Sequence, residues 1–461
     1  MHVLAAMNPL TAQTMVSLAA APPPAGVSFW GAQLIIGILF LTHGLMAYFL
    51  TGANFVAVAA EGTFLFTKNE RWDRMAYTVA RMQAIAFAPG SLIPIVAIIA
   101  LSALWPYFWS TILRITFWPF VIESLSFILW VAYLYTWYFT WDKLKQYKAL
   151  HISLGLLFMF DSWLQQAAID VTGSYMLTPT DPRSLQAIVF NPTFIPLDLH
   201  RTVGNISFAG FILAGYAAWR YLRARSLEDR AFFDLLGSFG VLVGMGLLFL
   251  QPFIGYQYAL AINDNSPAAL YHIMSGGDRS FLFLIQVVLL SGLFFFGSVY
   301  AWLQMRKSSA RRTAFATGLV IAVVVWAVWL CIPPHWSPRI GPIDLSWLGQ
   351  YGLMNPWKYA ALGGLTLTGL LMFFVYLSAI QRGFKWGARG VLAHVLLIVL
   401  AFNVVAISAD MGIIREEARR PFLIYERMYI QPEAPSDISP NGEFGPTRNV
   451  GPQPAATPVP P

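Results

Sequence analysis

Long apolar runs separated by short polar connections dominate the sequence. A helix needs about 20 mostly apolar residues to cross the hydrocarbon core of a bilayer. Ten runs meet this length, at about 29–60, 76–105, 117–140, 150–170, 199–222, 232–254, 280–303, 313–333, 357–380 and 391–413. The pattern therefore predicts an all-α, polytopic membrane helical bundle of about ten transmembrane helices.

Positive charge alternates between the two sides of this predicted bundle. The connections after the first, third, fifth, seventh and ninth runs are rich in Lys and Arg, whereas those at 106–116, 172–198, 255–279 and 334–356 have few cations. Loops rich in Lys and Arg face the cytoplasm. We therefore predict that both termini and the cation-poor loops face outward, and "inner" and "outer" are used below in this predicted sense.

Composition supports a membrane environment and excludes several kinds of site. Of the 461 residues, 57% are hydrophobic and 11% charged, and mean hydropathy is +0.60; soluble domains carry about 25% charged residues. The net charge of +7 is explained by topology, so the sequence gives no reason to expect nucleic-acid binding. A single cysteine, Cys331, excludes an internal disulfide and a site ligated by several cysteines.

Ionisable residues within apolar runs are candidates for function because they are costly to bury in a membrane. His43 lies in the first run and His200 opens the fifth, and each could be a hydrogen-bonded core residue or a haem ligand. Gly204 lies one helical turn beyond His200 and would let a flat macrocycle approach the backbone. Glu123, early in the third run, could relay protons or bond to a neighbouring helix.

Other polar residues are weaker candidates for a functional role. His151 and His394 lie at inner helix ends and are expected to be unremarkable, Glu61 is expected at the interface, and His272 and His335 are expected on outer loops.

The outer end of the last run carries two adjacent acids and two arginines. Glu416 and Glu417 precede Arg419 and Arg420, whose cations could pair with a carboxylate or neutralise propionates. On residues alone, a haem-bearing electron-transfer protein is favoured over a transporter.

Four segments carry a resemblance to a known family. THGLMAYFLTGANFVAVAAE (42–61) resembles the first helix of cytochrome bd oxidase subunit I, and IESLSFILWVAYLYTWYFTWDKL (122–144) resembles its third helix. FNPTFIPLDLHRTVGNISFAGFILAGYAAW (190–219) is similar to the segment with the low-spin haem histidine, and EEARRPFLIYERM (416–428) resembles the Gly-Arg-Gln-Pro-Trp signature. The resemblance covers roughly two-thirds of the chain.

The resemblance implies roles for individual residues. His43 and Glu416 would be axial ligands of two high-spin haems, with Glu417 as the alternative carboxylate, and His200 would be one ligand of a low-spin haem b. Arg419 would stabilise propionates or a semi-reduced state with Arg420 beside it, and Glu123 would relay protons. The implied cofactors are two or three haems of type b, one of which could be haem d.

Two departures from the family pattern concern the electron donor. The family's second low-spin ligand is a Met. If the ninth run is the matching helix, Ala360 stands at that register and Met354 or His335 lies nearby. If it is the seventh run, Phe281 stands there and Met274 or His272 lies nearby, and in either case no residue at all could serve. The quinol-binding loop is reduced to about 255–279, and two extra runs follow it. Quinol oxidation at the family's usual site is therefore in doubt.

The resemblance predicts a subunit of a divergent bd-type terminal oxidase that passes electrons to O₂ from quinol or another donor. The alternatives are a haem-b electron-transfer or anchor subunit without oxygen chemistry, and a haem-free membrane transporter. We expect a multi-pass protein of the prokaryotic plasma membrane with a second multi-span oxidase subunit. A cytochrome c or iron–sulfur donor could dock on the outer face.

The same reasoning divides the chain into five parts. They are an outer N-terminal segment (1–28), a bd-like six-helix haem-binding part (29–254), short outer loops with two extra spans (255–356), the last two spans with the Arg-Arg-Pro signature (357–430), and a Pro-rich outer tail (431–461).

Overall fold

The computed structural model describes residues 29–275, 281–306, 313–333, 336, 339, 341–388, 390–418, 422–424 and 428–429. The predicted N-terminal segment and Pro-rich tail lie outside these residues, as do Arg419 and Arg420. Glu416 and Glu417 are described only as part of a helical backbone.

Helices make up nearly all of the described chain. They are α1 (Phe29–Thr67), α2 (Glu70–Leu104), α3 (Pro106–Ile115), α4 (Phe117–Phe139), α5 (Lys148–Leu177), α6 (Leu185–Val189), α7 (Phe194–Arg223), α8 (Leu227–Leu248), α9 (Gln251–Asn265), α10 (Pro267–Ser275), α11 (Phe281–Met305), α12 (Thr313–Cys331), α13 (Pro356–Gln381) and α14 (Val391–Ala418). Short 3₁₀ turns occur at Lys145–Tyr147 and Ser346–Leu348. The strands β1 (Phe422–Ile424) and β2 (Met428–Tyr429) form a small antiparallel hairpin after α14.

Nine helical segments in the described part of the chain are long and apolar enough to cross a membrane. They contain nine of the ten predicted runs, and the all-α membrane bundle is confirmed. The remaining run, 199–222, lies in α7, whose 30 residues form one continuous helix of lower hydrophobicity. Its apolar stretch, 202–219, contains Asn205 and three glycines, which lowers its hydropathy below that of the others.

Polar side chains mark where several helices begin. Ser226 Oγ accepts the backbone N–H of Asp229 at 3.0 Å at the start of α8, and Asn355 Oδ1 accepts that of Lys358 at 3.0 Å at the start of α13. These caps satisfy amide groups that have no partner within their own helix. Capping residues in the polar connections therefore set where these helices begin.

Helix α7 lies at the centre of the bundle and packs against α1, α5, α8, α9 and α14. Glycines permit the closest of these approaches. A Cβ on Gly210 of α7 would lie 2.5 Å from the backbone nitrogen of Gly244, and one on Gly240 would lie 2.6 Å from the carbonyl oxygen of Gly210. Small residues allow membrane helices to pack backbone to backbone. The α7–α8 contact therefore requires glycine at these positions.

Two further close contacts bring the outer halves of α1, α7 and α14 together. A Cβ on Gly52 of α1 would lie 1.9 Å from the carbonyl oxygen of Asn205 on α7. A Cβ on Gly412 of α14 would lie 2.3 Å from Leu41 Cδ2 on α1. His43 follows Leu41 by two residues, so the first candidate histidine lies where these three helices meet.

Candidate functional site

His43 stands in the outer half of α1 with one ring nitrogen unused. Its Nδ1 atom is buried and makes no hydrogen bond in the described part of the chain. Arg201 of α7 lies close enough to act on His43 electrostatically. A buried polar atom without a partner is costly, so its presence calls for an explanation such as an absent ligand.

His200, near the outer end of α7, has the same property. Its Nδ1 is also buried without a hydrogen bond among the described residues. The Tyr258 ring of α9 lies 6.0 Å from the imidazole between centroids. A Cβ on Gly255 would lie 3.4 Å from His200 Cε1, so this glycine borders the imidazole. The ring therefore packs against α9 beside Gly255.

Gly204, the glycine singled out in the sequence, faces a different group. The Gln251 amide nitrogen lies 3.4 Å from the position of a Gly204 Cβ and donates to the His200 carbonyl oxygen at 3.1 Å. Gly255, on a neighbouring helix, is thus the glycine that borders the His200 ring. Sequence spacing along α7 could not identify it.

A charged group lies beside His43. Arg201 forms an ion pair with the fully buried Asp170 of α5, and its guanidinium carbon lies 5.6 Å from the centre of the Tyr48 ring. Arg415, near the outer end of α14, lies within electrostatic range of Arg201. We call His43, Asp170, Arg201 and Arg415 the outer cluster. Two guanidiniums at one place suit an anionic group such as a carboxylate.

The predicted carboxylate ligand lies on the helix that supplies Arg415. Glu416 is the next residue of α14, and the contact of Gly412 with Leu41 holds this part of the helix against α1. Glu416 therefore lies one residue from the outer cluster along α14, and its side chain lies outside the described residues. Arg419 and Arg420 lie outside the described residues, so their predicted roles stay predictions.

Glu123 lies on α4, one turn before a polar contact with α5. Ser126 Oγ donates to a carboxylate oxygen of Asp161 at 2.7 Å and lies 3.0 Å from the Asp161 carbonyl oxygen. Asp161 and Ser126 are both buried. The sequence suggested a proton relay or a helix–helix bond for Glu123, and the structure places it next to a buried hydroxyl–carboxylate contact.

A second polar group joins α1, α2, α4 and α5 deeper in the bundle. Asn54 and Trp130 both donate to Ser162, and Gln83 donates to Asn54 and, at 2.9 Å, to the Leu50 carbonyl oxygen. Sequence analysis missed these uncharged residues. Their only signal is that amide side chains stand inside apolar runs.

Glu61 is fully buried and does not lie at an exposed interface position. It pairs with His151 Nδ1, lies 3.2 Å from Lys148 Nζ and accepts from Trp137 Nε1 at 3.1 Å. Lys148 Nζ also lies 2.6 Å from Asp73. The expectation that His151 is unremarkable was wrong, because it belongs to a buried ionic cluster at the inner side.

Of the four candidates for the second ligand of the low-spin haem, the structure describes the side chains of two. Met354 and Met274 are both buried, and their segments are joined by a hydrogen bond from the Leu353 amide to the Met274 carbonyl oxygen at 3.4 Å. The side chain of His272 and the whole of His335 lie outside the described residues.

Comparison with known proteins decides the family. The family model of cytochrome bd terminal oxidase subunit I matches residues 32–275, which is more than half of the chain. The chain belongs to the cytochrome bd terminal oxidase subunit I family. The predicted resemblance is thereby confirmed, and the matched region contains His43, Glu123 and His200.

Three similar proteins support this assignment. A putative cytochrome bd menaquinol oxidase subunit I of Bacillus subtilis is 24% identical over 210 residues, 44% of this chain and 46% of that protein. Cytochrome bd ubiquinol oxidase subunit 1 of the same organism is 23% identical over 218 residues, 45% of this chain and 46% of that protein. The bd oxidase structure from Geobacillus thermodenitrificans matches with a TM-score of 0.50 at 14% identity and covers 85% of this chain and 98% of that one. The match spans about half the length of the curated relatives, and the structural match shows the fold.

Family membership confirms several expectations in their general form. The chain is a multi-pass protein of the bacterial plasma membrane, its family binds haem, and cytochrome bd oxidases contain a second subunit. The individual haem ligands, the haem types and the electron donor stay predictions.

Proposed function

We propose that this chain is the haem-bearing subunit of a bd-type terminal oxidase that passes electrons to O₂ in a respiratory chain. The observation that carries the proposal is the pair of histidines in the outer half, His43 and His200. Each has a buried Nδ1 without a hydrogen bond in the described part of the chain, and they lie on helices in direct contact.

The residues present suit haem. A neutral imidazole that is not consumed by hydrogen bonds within the bundle is available for an iron ligand role. Gly255 borders the His200 ring without a side chain, and the guanidiniums of Arg201 and Arg415, which lie within electrostatic range of each other, would bind propionate carboxylates. Bound haem would supply iron that carries single electrons and binds O₂.

Different residues of the chain would hold the low-spin and the high-spin haems. His200, with Met354, Met274, His272 or His335 as its partner, would hold a low-spin haem b that receives electrons. His43 and Glu416 would each hold a high-spin haem, one of which could be haem d. The subunit would hold three haems if both high-spin positions are filled, and two if only one is.

Charged residues near these positions would control binding and protons. Arg201 and Arg415, with Arg419 and Arg420 following in the sequence, would bind the propionates. Glu123 would hold a proton on α4, one helical turn from Ser126, whose hydroxyl donates to the buried Asp161 carboxylate.

The electron donor would approach from the outer side. The loop between α12 and α13 exposes Trp336 and Trp347, with 72% and 75% of their surface accessible. Aromatic side chains are frequent in binding surfaces. A cytochrome c or iron–sulfur protein docked there, together with a second multi-span subunit, completes the proposed assembly.

Reduced-minus-oxidised and reduced-plus-CO spectra of the purified protein, with haem quantification, test the proposal. We expect a CO-shifted band that His43→Ala removes while the low-spin signal is retained. His200→Ala should remove the low-spin signal and leave the CO-shifted band. Added imidazole should restore the lost band to His43→Gly, which separates ligand loss from misfolding.

The other outcomes identify the alternatives. A low-spin haem b signal with no CO-shifted band would point to an electron-transfer or anchor subunit without oxygen chemistry. No haem absorption after gentle purification would leave a haem-free transporter that shares the family fold.

A further inference from the structure

Four arginines stand where α7 ends and α8 begins, at the inner side of the bundle and away from the outer cluster. Arg220 and Arg223 lie in the last turn of α7, Arg225 lies in the turn between the helices, and Arg230 lies in the first turns of α8. None of them has a role in the function proposed above. We call these four residues the arginine patch.

The carboxylates that are nearest to the arginine patch in sequence pair with a different arginine. Glu228 and Asp229, in the first turn of α8, lie 3.7 Å and 2.8 Å from Arg74 of α2. Arg220 acts on Asp229 electrostatically, but no carboxylate of the described residues forms an ion pair with the arginine patch. The patch therefore keeps an excess of positive charge.

Aromatic rings hold two of these guanidiniums in place. The Arg220 guanidinium carbon lies 4.6 Å from the centre of the Phe233 ring of α8, and Arg220 Nη1 donates to the Tyr216 hydroxyl at 2.8 Å. The Arg223 guanidinium carbon lies 4.6 Å from the centre of the Trp219 ring. Stacking occupies the face of a guanidinium and leaves N–H donors at its edges for an anion. A side chain that is already fixed also loses less conformational freedom on binding.

Hydrogen bonding within the turn fixes a third member of the patch. Arg230 Nε donates to the Ala224 carbonyl oxygen at 3.1 Å, at the point where α7 ends. The last carbonyl groups of a helix have no partner within it, so this bond ties the start of α8 to the end of α7. The cations of both helices are thus held around one turn.

Aromatic and apolar side chains continue the arginine patch toward the membrane interior. Tyr216, Trp219 and Arg223 follow one face of α7 at helical spacing, and Trp219 and Leu222 expose 43% and 41% of their surface. From Tyr216 to Arg223 the helix rises about 10 Å. The headgroup layer on each side of a bilayer is about 5–8 Å deep. This face of α7 therefore changes from apolar to cationic over about the depth at which a phospholipid changes from acyl chain to phosphate.

We propose that the arginine patch binds the phosphate of an anionic phospholipid of the inner leaflet, whose acyl chains lie along Trp219 and Leu222. Guanidinium N–H groups suit phosphate oxygens, and the negative lipid balances the unpaired charge of the patch. An acidic protein segment would meet the same cations, but the exposed indole at the membrane interface favours a lipid. This inference does not depend on the proposed oxidase function.

Quenching of Trp219 fluorescence by lipids with brominated acyl chains tests the site in the purified full-length protein. The chain has 17 Trp, so the Trp219 signal is taken as the difference between each protein and the same protein with Trp219→Phe. Brominated phosphatidylglycerol and brominated phosphatidylcholine are compared at equal mole fractions in mixed micelles. In the wild type, phosphatidylglycerol should bind at least about tenfold more tightly, and this preference should shrink between about 0.1 M and about 1 M salt.

Substitutions in the arginine patch should remove the preference for the anionic lipid. Arg223 is exposed, so Arg223→Gln should fold, and it should lower the preference about fivefold because it removes one cation near the membrane surface. Arg220→Gln together with Arg223→Gln should bring the affinities for the two lipids within about twofold of each other. If the double variant does not fold, Arg223→Gln alone decides.

The matched control is Lys143→Gln together with Lys145→Gln, which removes two exposed cations from the connection between α4 and α5 on the same inner side. It should leave the preference as in the wild type. Equal quenching by the two lipids in the wild type would overturn the proposal. So would a lysine pair that matters as much as the arginine pair, because the attraction would then come from overall surface charge. Trp219 fluorescence that neither lipid quenches would also overturn it and would show that a protein segment covers the patch.

Discussion

The contact between α1 and α7 gives the sharpest structural prediction, because one glycine sets the distance between the helices that carry His43 and His200. A Cβ at Gly52 would lie 1.9 Å from the Asn205 carbonyl oxygen and 2.8 Å from the backbone nitrogen of Ile206. Both are backbone atoms, so no side-chain rotation can relieve the overlap. Gly52→Ala must move the helices apart by about 1 Å to reach the shortest distances that packed atoms tolerate.

The expected cost follows from overpacking. Forcing an extra methyl into a packed interior destabilises a protein by about 1–3 kcal/mol, and the backbone position of this overlap favours the upper end. Alanine recovers up to about 1 kcal/mol through its higher helix propensity, which leaves a net loss near 2 kcal/mol. The measurement is thermal unfolding of the detergent-solubilised protein, together with the reduced-plus-CO spectrum, which should shift because the His43 and Arg201 side chains are carried apart.

The matched control is Gly37→Ala on the same helix, where an added Cβ meets nothing within 4 Å. It should be neutral or stabilising by up to about 1 kcal/mol. If Gly52→Ala unfolds at the same temperature as Gly37→Ala, the close α1–α7 contact does not exist and the placement of the outer cluster is refuted.

Three further predictions concern charged groups. Asp170→Asn should destabilise the protein by about 3–5 kcal/mol because it leaves Arg201 without its buried carboxylate, and an unchanged melting temperature would exclude the ion pair. Glu61→Gln should lower the free energy of unfolding by a similar amount, since it removes a fully buried carboxylate beside Lys148, and wild-type stability would contradict this. Outside the spans, hydrogen bonds from Arg183 hold the pKa of Asp181 below its usual value. The resulting small stabilisation is present at neutral pH and lost as pH falls through the lowered pKa, and NMR titration of the Asp181 carboxyl should report a pKa under that of a free Asp.

Several residues of the candidate site could be predicted from the sequence, because an ionisable side chain within an apolar run differs from its neighbours. His43, Glu123 and His200 stand out as ionisable residues within apolar runs, and in the structure each lies in a helix at the predicted position. Gly255 and Arg201 gave no comparable signal. Arg201 directly follows a candidate ligand, yet only the arrangement of α1, α5 and α14 around it reveals its partners.

Residues at the inner helix ends were interpreted incorrectly for the same reason. Glu61, His151 and His394 stand near cationic loops, where a charge is ordinary, so the sequence predicted an interfacial position for Glu61 and no special role for the two histidines. The structure buries all three within the bundle. Burial at the end of a run depends on the lengths of the surrounding helices, which a single segment does not contain.

The sequence by itself determined the membrane location, the helical class and the approximate places of the spans, because bilayer thickness acts on each segment separately and makes hydropathy a local property. It also determined the family, because the motifs that identify it are short continuous segments. Only the tertiary structure decided which polar groups share a site. His151 meets Glu61 from 90 residues away, and the Gly387 amide meets Asp234 from 153 residues away. Such pairings are set by which helix faces pack together, and glycine contacts such as that of Gly52 with Asn205 fix those faces at distances that no linear pattern encodes.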